Sequence, residues 1–121
     1  MKMVQAIIQP QRLEAVLAAL EKVAVERMTV LDGIGFGRRA EFADPSQSPG
    51  PLVLEYQPRR LVRNIVLEIV VNDDFADRTV AAVQAAARTG ENGRLGDGKI
   101  WIASVEQTVQ IGGTETGPGA V

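Results

Sequence analysis

Eight residues, Asn64 to Val71 (NIVLEIVV), hold a single charge, Glu68. Val, Ile and Leu fall on both parities of this run, so a strand made from it offers apolar side chains on both faces. A sheet built around such a strand needs cover on each side. The chain has 121 residues to supply that cover, which suits one compact domain spanning 1–121. Helices can hide one face; self-association is the natural way to hide the other.

The remaining sequence sets out the elements around this strand. Met3 to Ile8 (MVQAII) reads as a strand, stopped by Pro10. Leu13, Val16, Leu17, Leu20 and Val23 recur at helical spacing, with Arg12, Glu14, Glu21 and Lys22 between them. Met28 to Phe36 predicts a second strand, bent or bulged near Gly33 and Gly35. Gly37 to about Val62 holds Pro45, Pro49, Pro51 and Pro58 with Ser46, Ser48 and Gly50, the composition of a long loop. Asp73 and Asp74 predict the capped start of a second helix, whose apolar stripe is Ala76, Val80, Val83 and Ala87. Thr89-Gly90 ends it. A glycine-rich turn, Gly90 to Gly98, leads to a strand Lys99 to Val105, a short alternating stretch Gln107 to Ile111, and a Gly-rich tail with Pro118. The order predicts an α+β fold: a ferredoxin-like βαββαβ sandwich, two helices on one face of a four-stranded antiparallel sheet.

Composition narrows the chemistry. There is no Cys and no His, which removes disulfides, thiol catalysis, Ser-His-Asp chemistry and nearly every structural zinc site. A net charge of -2 and 4% aromatics argue against nucleic acid as a partner. No apolar run is long enough to span a bilayer and the N-terminus has no signal-peptide pattern, so a cytoplasmic protein without membrane insertion is expected.

Three groupings could carry function. In Thr89 to Trp101 (TGENGRLGDGKIW), Gly90, Gly93, Gly96 and Gly98 free backbone N–H groups to turn toward an anion, with Arg94 and Lys99 adding charge. The alternative is a plain helix-to-strand turn. Arg38, Arg39, Arg59, Arg60 and Arg63, five of thirteen basic residues, flank the long loop and suit a phosphate or carboxylate; the alternative is a solvated basic face. Asp73, Asp74 and Asp77 match no metal-loop spacing and read as helix capping. No nucleophile is assembled with a base, so no catalytic residue is expected. Phe36 and Trp101 read as core or interface.

VQAIIQPQRLEAVLAAL at the start, MTV…GIGFGRR at the second strand and RTGENGRLGDGKIW in the glycine-rich turn together resemble the PII signal-transduction superfamily, from Met1 to about Thr114. The resemblance implies a non-enzymatic homotrimer that binds adenine nucleotides (ADP, AMP or ATP) between subunits. It also implies a T-loop, about 37–62, that reaches target proteins, a B-loop at about 89–99 and a C-terminal tail at about 112–121. Carried over, Ile7, Thr29, Gly35, Gly37 and Arg38 match the adenosine wall, and Gly96, Asp97, Gly98 and Lys99 the phosphate turn. Arg59 matches the basic residue at the T-loop base.

Departures from the family pattern qualify this. Arg39 stands where the family has a glutamine that helps bind magnesium and 2-oxoglutarate. Gln110 and Gly112 stand where two arginines reach the phosphates, about three residues are added around Asn92-Gly93-Arg94, and Tyr56 is not in the usual uridylylation context. A divergent member is therefore expected, in which Arg39 joins the nucleotide site and Arg39, Arg59 and Arg60 hold a small anion such as bicarbonate. Its target would be a transporter, an enzyme or a carboxysome-related protein. A conventional 2-oxoglutarate and ATP sensor is the alternative, and a metal-tolerance trimer or an acylphosphatase-like enzyme of the same fold lies further off.

Overall fold

The computed structural model describes residues 1–36 and 61–121. The elements are β1 (Lys2–Ile8), a 3-10 turn (Pro10–Arg12), α1 (Leu13–Lys22), β2 (Thr29–Phe36), β3 (Leu61–Val71), α2 (Asp73–Ala87) and β4 (Gly98–Ser104). The strands form one antiparallel sheet in the order β2-β3-β1-β4. The ferredoxin-like α+β arrangement expected from the sequence is therefore present, with β2 and β4 at the two edges.

Register sorts the side chains between two faces. Val4, Ala6 and Ile8 of β1 pair with Ile69, Leu67 and Ile65 of β3. All six are buried with Val16 and Leu20 of α1 and Ala76, Val83 and Ala87 of α2. Directly opposed residues share a face, so Met3, Gln5 and Ile7 lie on the other side with their partners Val70, Glu68 and Val66. Each of these six is only half-buried. From Ile65 to Val71 the two-sided reading thus resolves into a helix-covered odd-numbered face and an open even-numbered face, while Val62 and Asn64 at the start of the strand are buried. Gln5 and Glu68 make the polar interruption of the open face, Gln5 Nε2 donating to Glu68 Oε1 at 3.0 Å.

Several boundaries differ from the sequence reading. β3 begins at Leu61 rather than Asn64, so Leu61 and Val62, assigned to the T-loop, are strand: they pair with Phe36 and Gly35. The β2 edge extends the ladder past the point where β3's apolar run ends. β4 ends at Ser104, and the stretch after it makes one bridge, Val109 to Thr116. The N-cap of α2 is Asn72, with no side-chain capping bond. Asp73 and Asp74 lie inside its first turn, where their charge still suits the helix dipole, and Asp73 pairs with the Met1 ammonium at 2.8 Å. Phe36, read as core or interface, is exposed on the β2 edge strand and so is not part of this chain's core. No helix among the described residues is long and apolar enough to cross a membrane.

Candidate functional site

The glycine-rich turn is built around one carboxylate. After α2 ends, Thr89 donates its N–H to Asp97 Oδ2 at 2.8 Å and its hydroxyl to Asp97 Oδ1 at 2.6 Å. The N–H of Arg94 reaches Asp97 Oδ2 at 2.8 Å. Gln9, just past the end of β1, donates Nε2 to the Gly96 carbonyl at 3.0 Å and toward Asp97 Oδ1 at 3.4 Å. Partial burial pushes the Asp97 carboxyl up, but the hydrogen bonds from Thr89 and Arg94 and the Arg94 charge outweigh it. The group lies below the usual carboxylate value and stays ionised. Sequence reading put Asp97 in the phosphate turn; its oxygens are engaged by the loop itself, so it shapes the turn.

Gly98 has to be glycine. Its φ is +113°, and a Cβ there would lie 1.8 Å from the Ile7 carbonyl oxygen. That close approach locks the loop's end onto β1. It also sets the register that pairs Ile7 with Lys99. These two side chains stand next to each other on the open face, beside Val66 and then Leu31 of β2. Lys99 is exposed and enters no ion pair among the described residues.

The structure therefore brings Ile7, Gly96, Asp97, Gly98 and Lys99 together at the β1–β4 edge. It does not bring Thr29 and Gly35 to them. Thr29 pairs with Glu68, whose neighbours across β1 and β4 are Gln5 and Trp101. That places β2 three strand spacings, ~14 Å, from β4. Gly35 faces Val62, and Asn64 packs into the space its missing side chain leaves. Gly37, Arg38, Arg39, Arg59 and Arg60 lie outside the described residues. Arg63, read with them, makes a two-pronged bond to Asp32, Nε to Oδ1 at 2.8 Å and Nη2 to Oδ2 at 2.9 Å.

Gln9 was not singled out by sequence. Its partner Gly96 is 87 residues away, and only the strand register brings the two together. Beside the same turn, a cleft of about 480 Å³ opens between α2 and β4, and Ile7, Gly98 and Lys99 line it together with Arg88, Arg94 and Ile100. Trp101 is partly exposed on the open face, opposite Gln5.

The fold is ferredoxin-like, with a glycine-rich turn braced by Asp97 at one sheet edge, and comparison with known proteins supplies the family. Residues 1–115 match the family described as Nitrogen regulatory protein P-II. The chain belongs to that family. It is 34% identical to a nitrogen regulatory protein P-II of Bradyrhizobium diazoefficiens over the full length of both chains. It is 36% identical to the nitrogen regulatory protein GlnK1 of Methanosarcina mazei, across all of this chain and 97% of that one. Among solved structures it resembles Arabidopsis thaliana PII bound to citrate, with a TM-score of 0.72 and 28% identity. The match covers 98% of this chain and 87% of that one. The protein is thus a P-II family signalling regulator.

Proposed function

We propose that this P-II family member works without catalysis, binding an adenine nucleotide (ADP, AMP or ATP) between the subunits of a homotrimer. In this reading the phosphates lie on the Gly96–Gly98 turn and Lys99, and the adenosine lies against Ile7. Thr29 and Gly35 come from the β2 edge, and Gly37, Arg38 and Arg39 complete the wall. A target protein is met through the segment beginning at Gly37, with 89–99 as the B-loop.

One observation carries this reading. Thr29 and Lys99 sit on opposite edges of one open face, so a single small ligand meets both only when a second copy sets its β2 edge beside the first copy's β4 edge. The half-buried apolar side chains Met3, Ile7, Val66 and Val70 give that face a reason to associate. A ring of such unlike edges closes with cyclic symmetry.

For the effector, Arg39 is the informative residue. A guanidinium has donors and no acceptor lone pair, so it cannot ligate magnesium. Arg39, Arg59 and Arg60 suit a small anion such as bicarbonate, and the citrate of the Arabidopsis protein is itself a small carboxylate. A conventional ATP and 2-oxoglutarate sensor is the second reading, favoured by the nitrogen-regulatory names of the relatives.

Calorimetry with ADP, AMP and ATP, each with bicarbonate or with magnesium and 2-oxoglutarate, separates them. The first reading expects bicarbonate to tighten ADP or AMP and 2-oxoglutarate to have little effect. Strong magnesium-dependent coupling of ATP with 2-oxoglutarate establishes the second.

A further inference from the structure

A second cavity, of about 240 Å³, lies at the other end of the sheet from the glycine-rich turn, with Val25 and Val71 among its walls. Val71 pairs with Lys2, whereas Gly98 pairs with Ile8. The length of β1, ~20 Å at about 3.3 Å per residue, therefore separates the two places. Ile7, Thr29, Gly35 and Gly96–Lys99 lie outside its lining. We propose that this cavity is a ligand site of its own, taking a small apolar α-amino acid.

Three observations carry the assignment. First, a buried polar atom there is unmet. Asn72 lines the cavity and stands at the start of α2, but its side chain does not cap the helix. Its Nδ2 donates to the Pro118 carbonyl at 3.3 Å, and its Oδ1 is buried with no hydrogen-bond partner. Buried acceptors are normally satisfied, so this oxygen suits a ligand N–H. Second, the rim carries an acid and a base. Glu26 and Arg27 both line the cavity and are exposed, and neither enters an ion pair among the described residues. Arg27 Nη1 reaches the Val121 carbonyl at 3.4 Å, which leaves other guanidinium N–H groups to bind a carboxylate. Glu26 and Asn72 Oδ1 both accept, as an ammonium requires. A zwitterion answers both rim charges; a ligand of one sign leaves the other unpaired. Third, the rest of the wall is apolar: Val25 and Val71, each 5% exposed, with Phe75. The turn after α1 builds this arrangement. Ala24 has φ +60°, and the N–H groups of Ala24 and Val25 close the helix on the Glu21 and Leu20 carbonyls. That turn buries Val25 and leaves Glu26 and Arg27 at the rim. The volume falls below the ~300 Å³ at which drug-sized sites begin, so the occupant is no larger than a single residue.

The test titrates L-leucine into the full chain and follows backbone amide shifts. Two analogues each keep one head group: isovalerate the carboxylate, isoamylamine the ammonium. The expected result is saturable binding of leucine, with shifts centred on residues 24–27, 70–75 and 121. Either analogue should bind about tenfold or more weakly, the loss of a charge-assisted hydrogen bond. Arg27→Met should weaken leucine and isovalerate and leave isoamylamine unchanged. Glu26→Gln should weaken leucine and isoamylamine and leave isovalerate unchanged. Both positions are exposed, so both variants should fold, which an unchanged thermal midpoint checks. No saturable binding of leucine, shifts centred on Ile7, Val66 and Lys99, equal affinity for leucine and both analogues, or an unchanged leucine titration in both variants would each overturn the proposal. The titration needs no nucleotide, so its outcome is independent of the nucleotide site proposed above.

Discussion

At the scale of single residues, Asp97 and Gly98 decide whether the turn exists. Asp97 takes three hydrogen bonds shorter than 3 Å from Thr89 and Arg94. Asp97→Asn replaces one acceptor oxygen with an NH2 that faces a donor. It should cost about 1–3 kcal/mol, the cost of an unmet hydrogen-bonding group, read as a shift in the urea midpoint. The carboxyl lies below its ordinary value in the folded chain. Its contribution is therefore complete above the usual carboxylate pKa of about 4 and fades as pH falls through the lower folded value. The stability gap between wild type and Asp97→Asn should be constant near neutrality and close below that range. Gly98→Ala should cost about 1–3 kcal/mol from its left-handed backbone alone, before the clash with the Ile7 carbonyl is counted. Lys99→Ala should leave folding intact, since the side chain is exposed. It should weaken ADP or ATP by about 1.5–3 kcal/mol, the range for a hydrogen bond to a charged group, measured by calorimetry.

Among the elements, β3 carries the sheet. Leu67 has no exposed surface and sits between Val30 of β2 and Ala6 of β1. Leu67→Ala should destabilise the chain by about 2–5 kcal/mol, as for other large-to-small changes in a packed core, seen in thermal or urea unfolding. This strand was also the most legible part of the sequence, because eight apolar-rich residues with one charge suit little else. Both helices were legible from their stripes. The start of β3 was not: Leu61 and Val62 join the strand because β2 offers them partners, and pairing between strands leaves no mark on the local sequence. The site was half legible. Gly96 to Lys99 announced the turn through its glycines, but Gln9, which fastens it, carries no local signal. The separation of Thr29 from Lys99 follows from strand order, which spacing along the chain does not encode. The cleft beside the turn was not legible either, since its walls come from β1, α2 and β4, which lie far apart in the chain.

For the whole molecule, the open face and the two unlike sheet edges belong to one account. Light scattering should find a trimer at micromolar concentration. Val66→Glu, which adds a charge to the centre of the open face, should release monomers. The central claim is that one nucleotide uses the β4 edge of one copy and the β2 edge of the next. Two variants divide the site: Lys99→Ala removes the phosphate contact on one edge, and Thr29→Trp blocks the other. Each alone should bind ADP poorly. When the two are unfolded together in equal amounts and refolded, chance assembly of a cyclic trimer gives about a quarter of the interfaces both intact edges. Calorimetry on the mixture should then recover tight ADP binding at about a quarter of the sites, with neither parent showing it. A mixture that binds no better than its two parents, while light scattering shows that mixed trimers have formed, would contradict a site shared between subunits.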